Sequence, residues 1–365
     1  WTIQYSFTCL HFFTLRGLFR GKQANWQTGK AYPGHLWYTE WKRNPVFPDR
    51  KGNTHMNWNG KPYHSLDFEL KSRFGQKVYK IALDGHMTCP NRDGTYSTLG
   101  CAFCSEGGSG DFAASASLPV SQQLSDAKIR IAAKTNCSKF IAYFQSYTNT
   151  YAPVAYLCSI YEEALQSPEI VALSIGTRSD WLGEDVLLLL SELQEKYPHK
   201  QIWIELGLQT MHNDTLQKMN THTTVEQFDS AIDVLTRIHI PVIAHVILGF
   251  PNETKEMMLQ TISHVSRLPV SGIKLQLLHV LKNTELGNRY LEKPFPVMEL
   301  MPYCDLVIDC LELLPPDLVV HRLTGDGPRN LLLAPLWSTD KKRVLNTIHH
   351  RLKERDTWQG RLFIS

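Results

Sequence analysis

Three of the eight cysteines, Cys89, Cys101 and Cys104, lie close together between residues 89 and 104. Thiolates bind iron and zinc and also carry redox chemistry, so this clustering predicts a metal or redox site. Three thiolates can hold three irons of a [4Fe–4S] cluster and leave the fourth iron open to a small molecule, whereas an electron carrier normally uses four. The remaining cysteines occur singly, mostly among apolar neighbours, and are predicted to be structural: Cys9, Cys137, Cys158, Cys304 and Cys310.

Two other uses of these cysteines are possible. A structural zinc site needs four ligands, usually from paired knuckles, and only one Cys-x-x-Cys is present here, so His86 or the distant Cys137 would have to complete it. A thioredoxin-like pair, Cys101 and Cys104, should open a helix, but a glycine-rich segment at 107–110 follows. The iron–sulfur interpretation is favoured over both.

Apolar, β-rich runs alternate with amphipathic helical stretches from about residue 75 onward. This alternation predicts a parallel sheet with right-handed crossovers, and six repeats favour a partial (β/α)6 TIM-like barrel. The predicted strands are Val78–Leu83, Lys139–Tyr143, Ile170–Ile175, Ile202–Leu206, Val242–Leu248 and Gly272–Leu278. The predicted helices are Val120–Lys134, Val154–Gln166, Glu184–Lys196, Thr224–Arg237 and Lys255–Arg267. The cysteine segment directly follows the first strand, at the barrel end where such enzymes place their chemistry.

The sequence divides into a barrel over 61–295 and two flanking extensions. The segment 296–365 is predicted to cap or complete the barrel, with a helix over Met298–Leu314, a strand over Asp317–Leu323 and a final helix over Arg343–Glu354. Segment 1–60 lacks periodicity, and we expect it to be poorly ordered or to result from a start site assigned too far upstream, since the first methionine is Met56.

Charge and hydropathy describe an ordinary soluble protein. The net charge of +3 combines nine Lys/Arg and two Asp/Glu over residues 1–65 with an excess of four negative charges over the rest. No apolar run reaches the roughly 18 residues of a membrane span, and no secretory signal pattern is present. We therefore predict a cytoplasmic protein without a membrane partner.

The Cys-x-aromatic-Cys ending of the cysteine segment, placed after the first strand, resembles the radical S-adenosylmethionine (SAM) superfamily. More narrowly, residues from about 73 to 340 resemble the YhcC-like bacterial branch, which is related to the catalytic subunit of Elongator. The 11-residue gap between Cys89 and Cys101 exceeds the three-residue gap common in the superfamily, and a longer loop is usual in this branch. Further matching stretches are 143–150, 176–180, 205–210, 245–251, 274–279 and 321–322.

This resemblance implies a [4Fe–4S] cluster on the three cysteines, SAM as the second cofactor, and a reducing partner such as flavodoxin or ferredoxin. It places Gln145 and Tyr147 near the SAM amino group and Glu205 near the ribose, with a salt bridge, for instance to Arg178, as the alternative for Glu205. The same comparison assigns cofactor contacts to Gln209, Gly249 and Pro251, with the two latter forming a turn against adenine.

Polar residues at the predicted strand ends are candidates for substrate contacts in one shared mouth. Cationic groups there suit an anionic substrate such as a phosphate or a carboxylate. The residues are Arg178, Lys274, His279, His321 and Arg322.

The family resemblance and the charge distribution suggest two different classes of substrate. The relationship to Elongator implies tRNA wobble-uridine modification, whereas the negative charge of residues 66–365 favours a small metabolite or cofactor precursor held inside the barrel. A non-catalytic iron–sulfur regulator is the third hypothesis, and it leaves Gln145, Glu205 and Gly249 unexplained.

Overall fold

The computed structural model describes residues 58–108, 113, 117–133, 135–325 and 327–364. The predictions for segment 1–57 and for Cys9 lie outside these residues. None of the helices in the described part combines the length and apolar composition that a membrane span requires.

Seven parallel strands form one sheet. Strands β1 to β6 follow one another in chain order, and β8 lies beside β6 at the edge of the sheet. They are β1 (Tyr79–Leu83), β2 (Phe140–Phe144), β3 (Ile170–Thr177), β4 (Gln201–Gln209), β5 (Val242–Leu248), β6 (Gly272–Leu277) and β8 (Val319–Arg322). The sheet is curled, since side chains from the non-adjacent strands β1, β4 and β6 meet in its interior. There, Lys80 and Lys274 both contact Glu205. The predicted α/β partial barrel is therefore confirmed, and all six predicted barrel strands form.

Most of the helices cover the outer face of the sheet. The helices are α1 (Leu66–Phe74), α2 (Val120–Ala132), α3 (Val154–Gln166), α4 (Glu184–Lys196), α5 (Asn213–Lys218), α6 (Val225–Arg237), α7 (Lys255–Val265), α8 (Glu285–Glu292), α9 (Leu300–Leu313) and α10 (Lys341–Glu354). Helix α6 begins with a capping box, in which Thr224 and Gln227 each bond the other's backbone N–H. Apolar side chains of most of these helices and of the strands form one large core. Leu70 of α1 belongs to a second cluster with Trp203 and other strand residues, and Leu286 of α8 belongs to a third cluster beside Ala102.

The segment after residue 295 is joined to the barrel by its own strand. Strand β8 pairs in parallel with β6, with Gly272 opposite Val319, and the Tyr303 hydroxyl of α9 donates to the Leu323 carbonyl at 2.8 Å. The additional strand predicted over 317–323 is thus the seventh strand of the sheet. A second sheet, an antiparallel pair of β7 (Val280–Leu281) and β9 (Leu332–Ala334), was not predicted.

Residues 58–74 cover the open edge at β8. The Val320 amide donates to the His64 carbonyl at 2.7 Å, and Ser65 forms a bridge with Val320. Trp58 is buried and stacks on His64. These contacts cover an edge strand whose backbone groups would otherwise be exposed.

Candidate active site

A cavity of about 1060 Å³ extends from the carboxyl ends of the strands into the interior of the curled sheet. Each of the seven parallel strands contributes at least one lining side chain. Cys89, Cys101 and Cys104 line the same cavity. The fold therefore brings the cysteine segment and the polar strand residues to one site, as in other barrels whose chemistry lies at this end.

The cysteine loop follows β1 and is held by its own backbone. The Arg92 amide donates to the Cys89 carbonyl at 2.8 Å, and the Cys104 amide donates to the Cys101 carbonyl at 2.9 Å. Between them, the buried Ala102 is anchored by its amide to the Met219 carbonyl at 2.9 Å. The three thiols are half-buried, so they are positioned by a rigid loop and remain accessible from the cavity.

Hydrogen-bond donors and positive charge surround the sulfurs. The Asn91 amide nitrogen lies 3.4 Å from the Cys101 sulfur and donates to the Asn220 carbonyl at 2.5 Å. The Arg92 guanidinium donates to the carbonyls of Cys104 and Ser105 at 2.9 and 2.6 Å. Burial lowers the pKa of Arg92, but the neighbouring Cys104, together with Tyr147 and Cys89, outweighs burial and raises that pKa. The loop is thus built to accept negative charge on sulfur.

Burial strongly desolvates the Cys101 thiol. Burial and then the neighbouring Cys104 raise its pKa to about 12, while Arg178 opposes this rise. Coordination to a metal lowers the pKa of a thiol, so the Cys101 thiol would lose its proton when it binds a metal. Three thiols that line one cavity, with cationic neighbours and an amide donor, suit the thiolate ligation of an iron–sulfur cluster.

The alternatives for these cysteines are not supported. The Cys137 sulfur contacts the Lys77 and Lys139 carbonyls at 3.0 and 3.1 Å, at the amino end of β2 and so at the opposite edge of the sheet. No three His, Cys, Asp or Glu side chains of the described residues converge enough to share a single metal ion. The Cys101 and Cys104 pair lies in turns and does not open a helix. Cys158, Cys304 and Cys310 are buried singly, as predicted.

A buried ionic network forms the floor of the cavity around Glu205, which is 1% exposed. Its carboxylate accepts hydrogen bonds from Ser174 Oγ at 2.7 Å and His245 Nε2 at 2.9 Å, and pairs with both Lys80 and Lys274. Burial would raise the pKa of Glu205, but the two lysines hold it well below its usual range. Glu205 is therefore an anion fixed by four donors.

Arg178 has a different partner from the one suggested for it. Its guanidinium forms a two-point pair with Asp180 at 2.9 and 2.8 Å and donates to the Thr221 carbonyl at 2.8 Å. Glu205 does form salt bridges, as the alternative predicted, but its partners are Lys80 and Lys274 and not Arg178. Burial lowers the pKa of Arg178, but its pair with Asp180, followed by the nearby Cys101 and Cys89, outweighs burial and raises that pKa.

Gln145, Tyr147 and Gln209 line the cavity beside the cysteine loop. Tyr147 and Gln209 both have positive φ angles, 61° and 69°, which non-glycine residues adopt rarely and which cluster at functional sites. The Tyr147 hydroxyl donates to the Glu106 carbonyl at 2.5 Å, and Gln209 Oε1 is buried without a hydrogen-bond partner in the described residues. An unsatisfied buried amide oxygen next to the cavity suits a donor on a bound molecule.

The remaining predicted residues divide into two groups. His279 and His321 line the cavity, whereas Gly249 and Pro251, both described, do not. Gly249 has φ +96°, and its amide contacts Met258 Sδ at 3.1 Å. Their proposed adenine contact stays a prediction.

Several residues of the site were missed from the sequence. They are Lys80, Asn91, Arg92, Tyr143 and His245. Lys80 and His245 carried a usable signal, a polar residue inside an otherwise apolar strand, which is the signal that Glu205 also carries. Asn91 and Arg92 carried none, since they lie in an irregular loop.

Comparison with known proteins agrees with this geometry. The model of the radical SAM superfamily matches residues 94–265, and that of the radical SAM C-terminal domain matches residues 270–354. The chain is 42% identical over 303 residues to the uncharacterized protein YtqA of Bacillus subtilis, covering 83% of this chain and 93% of YtqA. It is 34% identical over 273 residues to protein YhcC of Escherichia coli K12, covering 75% and 86% of the two chains.

The chain therefore belongs to the radical SAM superfamily and is an enzyme of that class. Its branch is the YhcC-like one, as the resemblance of residues 73–340 predicted. The fold is also similar to that of an N-terminally deleted archaeal Elp3 from Methanocaldococcus infernus. That similarity has a TM-score of 0.58 at 15% identity and covers 77% of this chain and 64% of the other.

Proposed function

We propose that this enzyme binds a [4Fe–4S] cluster through Cys89, Cys101 and Cys104 and uses it to cleave SAM during modification of a substrate in the barrel. The observation that carries the proposal is the single cavity shared by the three cysteines and by polar side chains from the parallel strands. The chemistry supplied when the cluster is bound and reduced is cleavage of SAM to methionine and a 5′-deoxyadenosyl radical, which abstracts a hydrogen atom from the substrate.

The protein's own residues position the reactants and exclude water. Gln145 and Tyr147 follow β2 beside the cysteine loop and are proposed to hold the methionine end of SAM. Gln209 ends β4 with a buried, unpaired amide oxygen, which supports a contact to a SAM hydroxyl or amine. The ribose contact predicted for Glu205 stays a prediction, and the four donors already bound to that carboxylate favour Gln209 for this task.

The test is anaerobic reconstitution of the full chain with iron and sulfide, followed by addition of SAM and dithionite. We expect nearly four irons per chain and formation of 5′-deoxyadenosine. Reduced flavodoxin or ferredoxin should replace dithionite if either is the electron donor. A loaded cluster without any SAM cleavage would instead support the iron–sulfur regulator.

Asn91→Ala should weaken cluster binding without removing a ligand. Its amide is buried and contacts the Cys101 sulfur, and partners that orient metal ligands affect metal affinity by about 10–100-fold. Iron retained after a fixed challenge with a chelator measures this effect, so the test does not depend on activity. Asn288→Ala, at an exposed position of α8, is the control. Equal iron retention in both variants would contradict a role for Asn91.

The proposed substrate is a wobble uridine of tRNA. Support comes from the YhcC-like resemblance and from basic residues at the cavity rim, where Lys61, Arg329 and Lys341 line the opening and Lys342 and Arg343 follow on the exposed start of α10. A rim of this kind suits phosphate contacts. Mass spectrometry of total tRNA nucleosides, with and without the gene, should show a wobble-uridine derivative halted at an earlier intermediate.

An unchanged nucleoside profile would support the alternative, a small metabolite or cofactor precursor. The buried charges of the cavity floor favour that alternative, because they can hold a small molecule entirely inside the barrel. Retention of tRNA by the reconstituted protein, lost as salt is raised, separates the two hypotheses directly.

A further inference from the structure

An exposed pair of aromatic rings lies beside the mouth of the cavity. Tyr96, in the loop between Cys89 and Cys101, is 42% exposed, and His222, between α5 and α6, is also exposed. The two rings are stacked, with 5.9 Å between their centroids and 27° between their planes. Leu99, in the same loop as Tyr96, is 72% exposed, so apolar surface is concentrated at this rim and indicates a binding surface.

The two rings border the cavity on the side of the cysteine loop. Thr221 and Thr223, on either side of His222, both line the cavity. Gly100, at the end of the loop that contains Tyr96, lines it as well. A molecule that enters the cavity from this side therefore passes next to the two rings.

Neighbouring groups hold the Tyr96 ring in place. The Arg178 guanidinium carbon lies 5.6 Å from the centroid of this ring, and the Trp181 ring lies 6.4 Å from it at an angle of 46°. Arg178 is itself fixed by its two-point pair with Asp180. Burial, followed by the neighbouring Asp180 carboxylate, raises the pKa of the Tyr96 phenol. A flat ring fixed in this way loses little conformational freedom when a ligand packs on it.

The segment that contains His222 is bound to the cysteine loop. The Asn220 side-chain nitrogen donates to the Gly100 carbonyl at 2.7 Å, and its side-chain oxygen lies 2.9 Å from His222 Nε2. Asn220 and His222 both have positive φ angles, 53° and 54°, which non-glycine residues adopt rarely and which cluster at functional sites. The unusual backbone thus places the His222 ring beside Tyr96.

Flat, exposed rings beside a substrate cavity suit unpaired nucleic-acid bases. Single-stranded RNA is recognised largely by stacking of its bases on aromatic side chains and arginine planes. An enzyme that acts on one base takes it out of the stack, which leaves the adjacent base with a free face at the rim of the site.

We propose that Tyr96 and His222 form a stacking platform for an unpaired RNA base next to the nucleotide that enters the cavity. This inference rests on the proposed function, in which the substrate is a wobble uridine and its neighbours belong to the unpaired anticodon loop. The charged groups beside the rings, Arg178 and Asp180, pair with each other, so the platform offers flat faces rather than net charge. This favours a base over a charged electron-carrier protein.

The experiment measures binding of a fluorescent hairpin RNA with an unpaired, uridine-containing loop to the reconstituted full chain, without SAM or reductant. A fully paired RNA duplex is the comparison. Tyr96→Ala should weaken loop binding by about 5- to 150-fold, the loss expected for one base stacked on an aromatic ring, and should leave duplex binding unchanged. The loss should be the same at low and high salt, because stacking neutralises no phosphate.

Removing bases from the RNA tests the stacking contact directly. Abasic sites are introduced at each loop position in turn, and each RNA is titrated into the unmodified chain and into Tyr96→Ala. At one position next to a uridine the effect of Tyr96→Ala should disappear, because the ring has already lost its partner. An undiminished effect at every position would contradict stacking.

Two further variants and one control complete the test. Tyr96→Phe keeps the ring and should bind as the unmodified chain does. His222→Asn removes the second ring but tolerates the positive φ angle, and it should also weaken loop binding. Tyr79→Ala is the matched control, because Tyr79 also lies beside a cation, with Lys77 at 4.6 Å, but at the amino end of β1 and so at the opposite edge of the sheet.

Iron retention separates a stacking role from support of the cysteine loop. The Tyr96→Ala chain should hold its iron against a chelator as well as the unmodified chain does. Loss of iron in parallel with loss of RNA affinity would overturn the proposal, since Tyr96 would then only support the loop.

Equal binding of the loop RNA by Tyr96→Ala and by the unmodified chain would also overturn the platform while leaving the tRNA substrate standing. If Tyr96→Ala instead weakened binding of reduced flavodoxin and not of RNA, the surface would belong to the electron donor and the proposal would be wrong. Failure of the unmodified chain to bind the loop RNA at all would contradict the tRNA substrate itself. Loss of SAM cleavage with retained, Tyr96-dependent RNA binding would refute the proposed chemistry alone.

Discussion

Replacing Cys101 with alanine is expected to abolish both the cluster absorbance and the formation of 5′-deoxyadenosine. Cys101 is one of three thiols on a loop that offers no fourth cysteine, and it is the thiol contacted by Asn91. Loss of residues that only orient a ligand costs about 10–100-fold in metal affinity or activity, so loss of a ligand should reduce 5′-deoxyadenosine by at least ~100-fold. Visible absorbance, iron content and chromatographic quantification of 5′-deoxyadenosine measure these losses.

Cys137→Ala is the matched control for this variant. Its thiol is also half-buried, but it contacts the Lys77 and Lys139 carbonyls at the opposite edge of the sheet. Iron content and SAM cleavage should remain at the level of the unmodified protein. If 5′-deoxyadenosine still formed in Cys101→Ala, the assignment of the cluster ligands would be wrong.

Replacing Glu205 with glutamine should produce the largest loss of stability. The change keeps the shape of the side chain but removes the charge that pairs with Lys80 and Lys274. Removing one partner of a buried ion pair costs about 3–5 kcal/mol, because the remaining charge is left without compensation. Denaturant unfolding at pH 7 gives the change in the free energy of unfolding.

The pH dependence of this loss identifies its cause. In the unmodified protein the pKa of Glu205 is held well below its usual range. Its contribution is therefore fully present above the unfolded-state pKa of about 4.3 and disappears as the pH falls through the folded value. In the variant the buried lysines lose their protons as the pH rises, so the destabilisation should shrink at alkaline pH.

Glu169→Gln is the control for Glu205→Gln. Glu169 pairs with Lys128 at the surface, with about half of its side chain exposed. Its loss should change the free energy of unfolding by no more than about 1 kcal/mol. Equal effects of the two substitutions would mean that the network around Glu205 contributes no more than a surface ion pair.

Local sequence patterns were sufficient to predict most of the barrel. Helices α3 and α4 begin and end where the spacing of their leucines and charged residues predicts, and the six barrel strands follow apolar runs. The short helices α1, α5 and α8 and the antiparallel pair of β7 and β9 were missed. Helix α1 has weak periodicity, and α5 and the two strands span too few residues to form a recognisable pattern. Helix α8 has a clear apolar face that could have identified it.

The sequence by itself determined where the cysteine site lies, because three cysteines directly after a first parallel strand must lie at the carboxyl end of that strand. The resemblance of its motifs to the radical SAM superfamily indicated the class of chemistry. The sequence also indicated Glu205, a polar residue in an otherwise apolar run, and Lys274, a polar residue near a strand end. Only the tertiary structure decided their partners. Lys80, Glu205 and Lys274 are far apart in sequence, and which side chains meet inside a curled sheet depends on strand register and curvature. No local pattern encodes those two quantities, so the buried pairing of Glu205 with the two lysines became visible only in the fold.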